Sequence, residues 1–149
     1  MIVIDTSVWI AAKRDTTVRT VLQALIEADE AAMPLPARLE LLAGTPKKDR
    51  RAFLQSCQGV AQVVPTEETW GPLQPWVERA ADAGHNFSLP DLIIAALAEE
   101  IGGLVWSLDK DFERMEQLQI VRLFAWPPLS ASPPSRRRAE HQNPSRAVS

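Results

Sequence analysis

Five short apolar runs, at residues 2–5, 31–36, 61–64, 104–108 and 120–124, are separated by longer stretches in which apolar residues recur at the helical period. Strands that alternate with helices are joined by crossovers and lie parallel, so the pattern predicts an α/β fold with a mainly parallel sheet. Helices are expected over residues 18–30, 38–43, 48–57, 66–84 and 91–101, with a short one after Asp109. In the first of these, Val18, Val21, Leu22, Leu25 and Ile26 share one face. Gly84 marks the end of the helix from residue 66, and Gly102-Gly103 turns the chain into the fourth strand.

The 149 residues suit one domain. That domain is expected to end near Trp126, because residues 127–149 are rich in Pro, Ser and Arg and nearly devoid of apolar side chains; this tail is expected to be disordered or tethered to a partner. Four arginines against one glutamate give the tail +3, which leaves −6 for residues 1–126 out of the chain's −3. So acidic a body is unlike a passive nucleic-acid binder, and any polyanion it meets needs a local source of positive charge. The single cysteine, Cys57, excludes an intramolecular disulfide and reads as a small packed residue. No apolar run approaches the roughly 20 residues that span a bilayer, and Asp5 interrupts the apolar N-terminal run, so a cytoplasmic protein is expected.

In a parallel sheet, ligands bind beyond the carboxyl ends of the strands. Asp5 closes the first strand and Asp109 follows the fourth, so both belong to that edge. A crossover helix that feeds a parallel strand starts at the same edge. Asp91, after Pro90 at a helix start, therefore joins them, and Glu40 lies about one turn into the helix after the second strand. Each acid also has a local reading: Asp91 and Asp109 as helix-start residues, Glu40 on a solvated face. Taken together, those readings leave unexplained a carboxylate at the end of a core strand and another inside Leu39-Glu40-Leu41-Leu42. Two unit charges 4 Å apart repel by roughly 4 kcal/mol at an effective dielectric of 20, so acids sharing a pocket need a proton or a cation. Without His or Cys nearby, an all-oxygen site favours Mg²⁺ or Mn²⁺ over Zn²⁺.

Four blocks in order, Val3-Ile4-Asp5-Thr6-Ser7, Leu39-Glu40-Leu41-Leu42-Ala43-Gly44, Pro90-Asp91-Leu92-Ile93-Ile94-Ala95-Ala96 and Ser107-Leu108-Asp109-Lys110-Asp111-Phe112, resemble the signature of PIN-domain ribonucleases, and among these the VapC-type toxins of type II toxin–antitoxin pairs. The resemblance implies a three-layer α/β/α fold and a metal-dependent endoribonuclease. It places the acidic quartet on Asp5, Glu40, Asp91 and Asp109, with Asp5, Asp91 and Asp109 as metal ligands, Glu40 as an outer ligand or water-orienting group, and Asp111 in support. Ser7, or Thr6, corresponds to the hydroxyl that bonds the first aspartate, and Ser107 stands where threonine is common. Mg²⁺, or Mn²⁺, is the implied cofactor. RNA (transfer, ribosomal or messenger) is the implied substrate, a VapB-type antitoxin the implied partner, and a homodimer or a toxin–antitoxin hetero-oligomer the implied assembly.

Lys13, Arg14, Lys47, Lys48, Arg50, Arg51, Lys110 and Arg114 are candidates to hold RNA phosphates, with Arg14 foremost. Trp9 and Trp106 read as core residues, and His85 as a loop residue near the acidic edge. Two competing classes remain. An aspartyl-phosphate phosphatase needs a second aspartate two positions after the first, where Ser7 stands. A non-catalytic module would keep the acids to dock a partner's basic segment, and metal-dependent cleavage separates it from a nuclease.

Overall fold

A computed structural model describes residues 1–127; the expectation for the tail falls outside them apart from Pro127. Strand β1 (Ile2–Ile4) is three β-branched residues, all buried, as an interior strand of a parallel sheet requires. It lies between β2 (Ala31–Pro34) and β4 (Leu104–Trp106), and β3 (Ala61–Val63) closes the other edge in the order β3-β2-β1-β4, every pair parallel. The register sets Ile4 opposite Trp106, so β1 and β4 finish together and their following residues, Asp5 and Ser107, emerge side by side.

Alternate strand residues serve different layers. Val3, Ala32 and Val105 face a core shared with helices α5 (Leu73–Asp82), α6 (Leu89–Glu100) and α7 (Lys110–Gln117), where Ile94, Phe112 and Met115 are fully buried. Ile2, Ile4, Ala31 and Trp106 face the opposite core, packed by Val8 of helix α1 (Thr6–Ala11) and by Val18 and Leu22 of α2 (Thr16–Glu27). Helix α3 (Leu35–Ala43) starts directly from β2, and α4 (Arg50–Cys57) places Cys57 against Met33, sulfur to sulfur at 3.8 Å. Trp106 packs at a tilt against Phe124 and Trp126, at ring-centroid distances of 5.3 and 5.0 Å and interplanar angles of 54° and 42°, which fixes the last described segment over this second core. No helix among the described residues is long and apolar enough to cross a membrane.

Four expectations are corrected. Helix α1 stands where none was foreseen. The helix expected at 66–84 is a 3₁₀ turn (Glu68–Trp70) followed by α5, divided at Gly71-Pro72 because proline lacks the amide hydrogen that would continue the ladder. The fifth strand, expected at 120–124, reduces to one parallel bridge between Val105 and Leu123, so among the described residues the sheet has four strands. Three helices begin earlier than read, α2 at Thr16 behind an Asp15 cap, α3 at Leu35 and α6 at Leu89 behind a Ser88 cap, whereas α4 begins at Arg50 after a 3₁₀ turn (Lys47–Asp49).

Candidate metal centre

Asp5 is 5% exposed and caps α1 from the end of β1. Its side-chain hydrogen bonds all fall on Oδ2, which accepts from the hydroxyls of Ser7 at 2.7 Å and Ser107 at 2.8 Å and, at the longer distance of 3.4 Å, from the Ser7 amide. Those two hydroxyls are themselves held: the Leu108 amide donates to Ser7 Oγ, and the Asp109 amide to Ser107 Oγ, both at 3.0 Å. A carboxylate with one oxygen saturated this way is rotationally fixed and presents the other oxygen, Oδ1, for a further partner. Between the two hydroxyls offered by the family pattern the structure decides: Ser7 bonds Asp5, whereas Thr6 donates to Glu40 Oε2 at 2.8 Å. That bond ties the exposed Glu40 of α3 to the first turn of α1.

Asp91 is the third residue of α6, its amide bonded to the Ser88 hydroxyl at 3.3 Å. Its carboxyl pKa is pushed up from 3.8 to about 6. Burial is the largest cause, a hydrogen bond from Ser88 works against it, and the negative charges of Asp5, Asp109 and Glu40 add to the rise. All three other acids of the quartet thus act on Asp91 electrostatically. Asp109 caps α7 through Oδ1, which accepts from the Asp111 amide at 2.9 Å. Its helix-start role and its place at the acidic edge coexist. Asp91, Asp109 and Asp111 each bring one carboxylate oxygen within 4.8 Å of the others. Asp5 and Glu40 stand outside this tightest group, while Asp111 stands inside it and also pairs with Arg114 at 2.6 Å.

The donor set suits a hard divalent cation: every candidate atom is a carboxylate oxygen, and the like charges that raise Asp91 are what a cation would offset. Of the candidate phosphate-binding residues, Lys110 follows Asp109 at the rim, whereas Lys13 and Arg14 lie at the far end of α1, Lys13 lining a cavity with Thr45, Pro46 and Phe53. Burial is the main influence on the Cys57 thiol and raises its pKa, so it offers no thiolate. Ser107 is the residue whose role the sequence reading missed; the visible signal was a hydroxyl directly after a core strand and two positions before an acid.

Against known proteins, residues 2–118 match the PIN domain family model. The chain is 32% identical over 117 residues to Ribonuclease VapC18 of Mycobacterium tuberculosis, covering 75% of this chain and 85% of that protein. The fold is similar to VapBC2 from Rickettsia felis, solved bound to a DNA fragment from their promoter (TM-score 0.70, 15% identity, 83% of this chain and 98% of that one). It is also similar to VapBC-1 from nontypeable Haemophilus influenzae (TM-score 0.69, 20% identity, 85% and 98%). Four acids on one edge of a four-stranded parallel sheet, the family match over most of the domain and the VapC relative lead to one assignment: the chain belongs to the PIN-domain family, and within it to the VapC group.

Proposed function

We propose that this protein is a Mg²⁺- or Mn²⁺-dependent endoribonuclease toxin of the cytoplasm, held in check by a cognate VapB-type antitoxin. Its catalytic unit is residues 1–126, with 127–149 as a separate tail. The observation that carries the reading is the convergence of Asp5, Glu40 and Asp109 on Asp91, an arrangement of like charges that burial makes costly without a cation. Asp5, through Oδ1, Asp91 and Asp109 would hold the ion, with Asp111 alongside. When bound, a divalent cation lowers the pKa of a water and offsets charge on the phosphoryl oxygens.

The protein's own share is orientation. Ser7 and Ser107 fix the Asp5 carboxylate, and Thr6 steadies Glu40 beside it, where Glu40 orients the attacking water and receives its proton. Water rather than the ribose 2′-hydroxyl is the nucleophile, so the products carry a 5′-phosphate and a 3′-hydroxyl. The test is cleavage of labelled total RNA by purified protein in Mn²⁺, Mg²⁺ or EDTA, beside Asp5→Asn. Discrete fragments that require metal and vanish in the variant are expected. Intact RNA from folded, antitoxin-free protein would leave the acids as a docking surface for a basic segment.

A further inference from the structure

The charge on this domain is segregated. Residues 1–127 contain twelve lysines and arginines, and seven of them meet at one corner. Lys13 and Arg14 lie in the turn that follows α1, and Arg19 of α2 folds back to donate to the carbonyls of Ala12 at 2.8 Å and Lys13 at 2.9 Å. Lys47, Lys48, Arg50 and Arg51 stand on the connection from α3 to α4, which meets the first group where Lys13 lines a cavity with Gly44, Thr45 and Asp49. All seven are exposed, and among the described residues the only ion pair is Arg114–Asp111, elsewhere. Within residues 13–19 and 47–51 the only acids are Asp15 and Asp49, and Asp15 is engaged with the amides of Thr17 and Val18 at the start of α2.

Seven cations with no carboxylate partner repel one another, and a cluster of that kind on a domain of net −6 is a seat for a polyanion. Its placement identifies which one. Helix α1 runs from the acidic edge, where Thr6 bonds Glu40, to the patch, where Lys13 stands. Seven residues at ~1.5 Å each separate the two by ~10 Å, which a stacked strand rising ~3.4 Å per nucleotide crosses in about three nucleotides. We propose that the corner formed by the end of α1, the start of α2 and the α3–α4 connection is the phosphate-binding track for single-stranded RNA about three nucleotides from the bond that is cut.

This rests on the nuclease reading for its biological sense, but its test does not use cleavage. Anisotropy of a labelled single-stranded oligouridylate is followed across a salt series with full-length Asp5→Asn protein in Mg²⁺. Two further pairs are built on it: Lys47→Gln with Lys48→Gln, and a charge-matched control on α5 and α7, Gln74→Glu with Gln117→Glu, exposed positions on the other side of the sheet. Every phosphate of a single strand that is no longer neutralised lowers the slope of log affinity against log salt by ~0.7, so the patch pair is expected to lower it by up to ~1.4 and to weaken binding on the order of tenfold at ~0.1 M salt. A larger loss of slope in the patch pair than in the control supports the track. Equal slopes in the two pairs, or no binding by the parent, would overturn it and give the corner to an acidic protein segment. A chain that binds through the patch yet never cuts RNA would overturn the nuclease reading alone.

Discussion

Replacing Asp91 by asparagine is expected to make the metal-free protein more stable while removing its activity. A rise in pKa from 3.8 to about 6 means that the native state holds this proton more tightly than the unfolded chain does. The stability contributed by the group is therefore fully present below pH 3.8 and is lost as pH rises through about 6. At ~1.4 kcal/mol per unit, that shift is worth ~3 kcal/mol at most; because Asp91 is only half-buried and partly screened, about 1–2 kcal/mol is the appropriate figure. Asparagine keeps the shape and cannot ionise, so at pH 7.5 in EDTA the variant is expected to melt about 3–8 °C above the parent. The gap should close as pH falls toward 4. Added Mn²⁺ should raise the parent's Tm more than the variant's, since the variant lacks one of the carboxylates that would hold the ion. Thermal melts followed by circular dichroism across pH, with and without Mn²⁺, make the measurement. A variant that melts below the parent in EDTA at pH 7.5, or a gap that does not narrow on acidification, would show that the acids do not strain the metal-free fold.

Ser107→Ala removes both the donor that fixes Asp5 Oδ2 and the acceptor for the Asp109 amide, so metal affinity is expected to fall about 10–100-fold, while Ser107→Thr keeps both hydrogen bonds and most of the affinity; titration of the Mn²⁺ dependence of the melt distinguishes them. Gly103→Ala would place its Cβ 2.7 Å from the backbone carbonyl of Met1 at the entrance to β4, and should cost about 1–3 kcal/mol in urea unfolding with metal response retained.

Strands β1, β2 and β4 were legible because a buried parallel strand leaves an apolar run, and with them came the edge on which the acids lie, although the similar run at 120–124 forms only one bridge. Helix α1 was not, because Thr6, Val8 and Ile10 are β-branched and read as extended; the helix forms because Asp5 caps it and Val8 is buried in the core, a gain the linear sequence does not display. The break at Gly71-Pro72 was visible in the sequence, but a single helix was read through it up to Gly84. At the acidic edge, residue type and position could be read, whereas the division of labour between Thr6 and Ser7 could not. Adjacent hydroxyls on a helix start point to different neighbours, and only the packing of α1 against α3 decides which acid each one meets. The charge on Arg114 is absorbed by Asp111 one turn away, a pairing that spacing allows but does not require.

The sheet order carries a consequence for incomplete chains. Strand β1 sits inside the sheet, and one of its two flanks is supplied by β4, with Ser107 reaching Asp5 across 102 positions of sequence. A fragment that stops short of β4 therefore lacks Asp109 and Asp111, leaves the β1 edge exposed, and strips Asp5 of one of the two hydroxyls that orient it. Foldedness and a complete set of acids arrive through one long-range pairing, so a prematurely ended or clipped copy is at once unstable and inert. For a protein whose substrate is proposed to be the cell's own RNA, that is a safeguard written into topology.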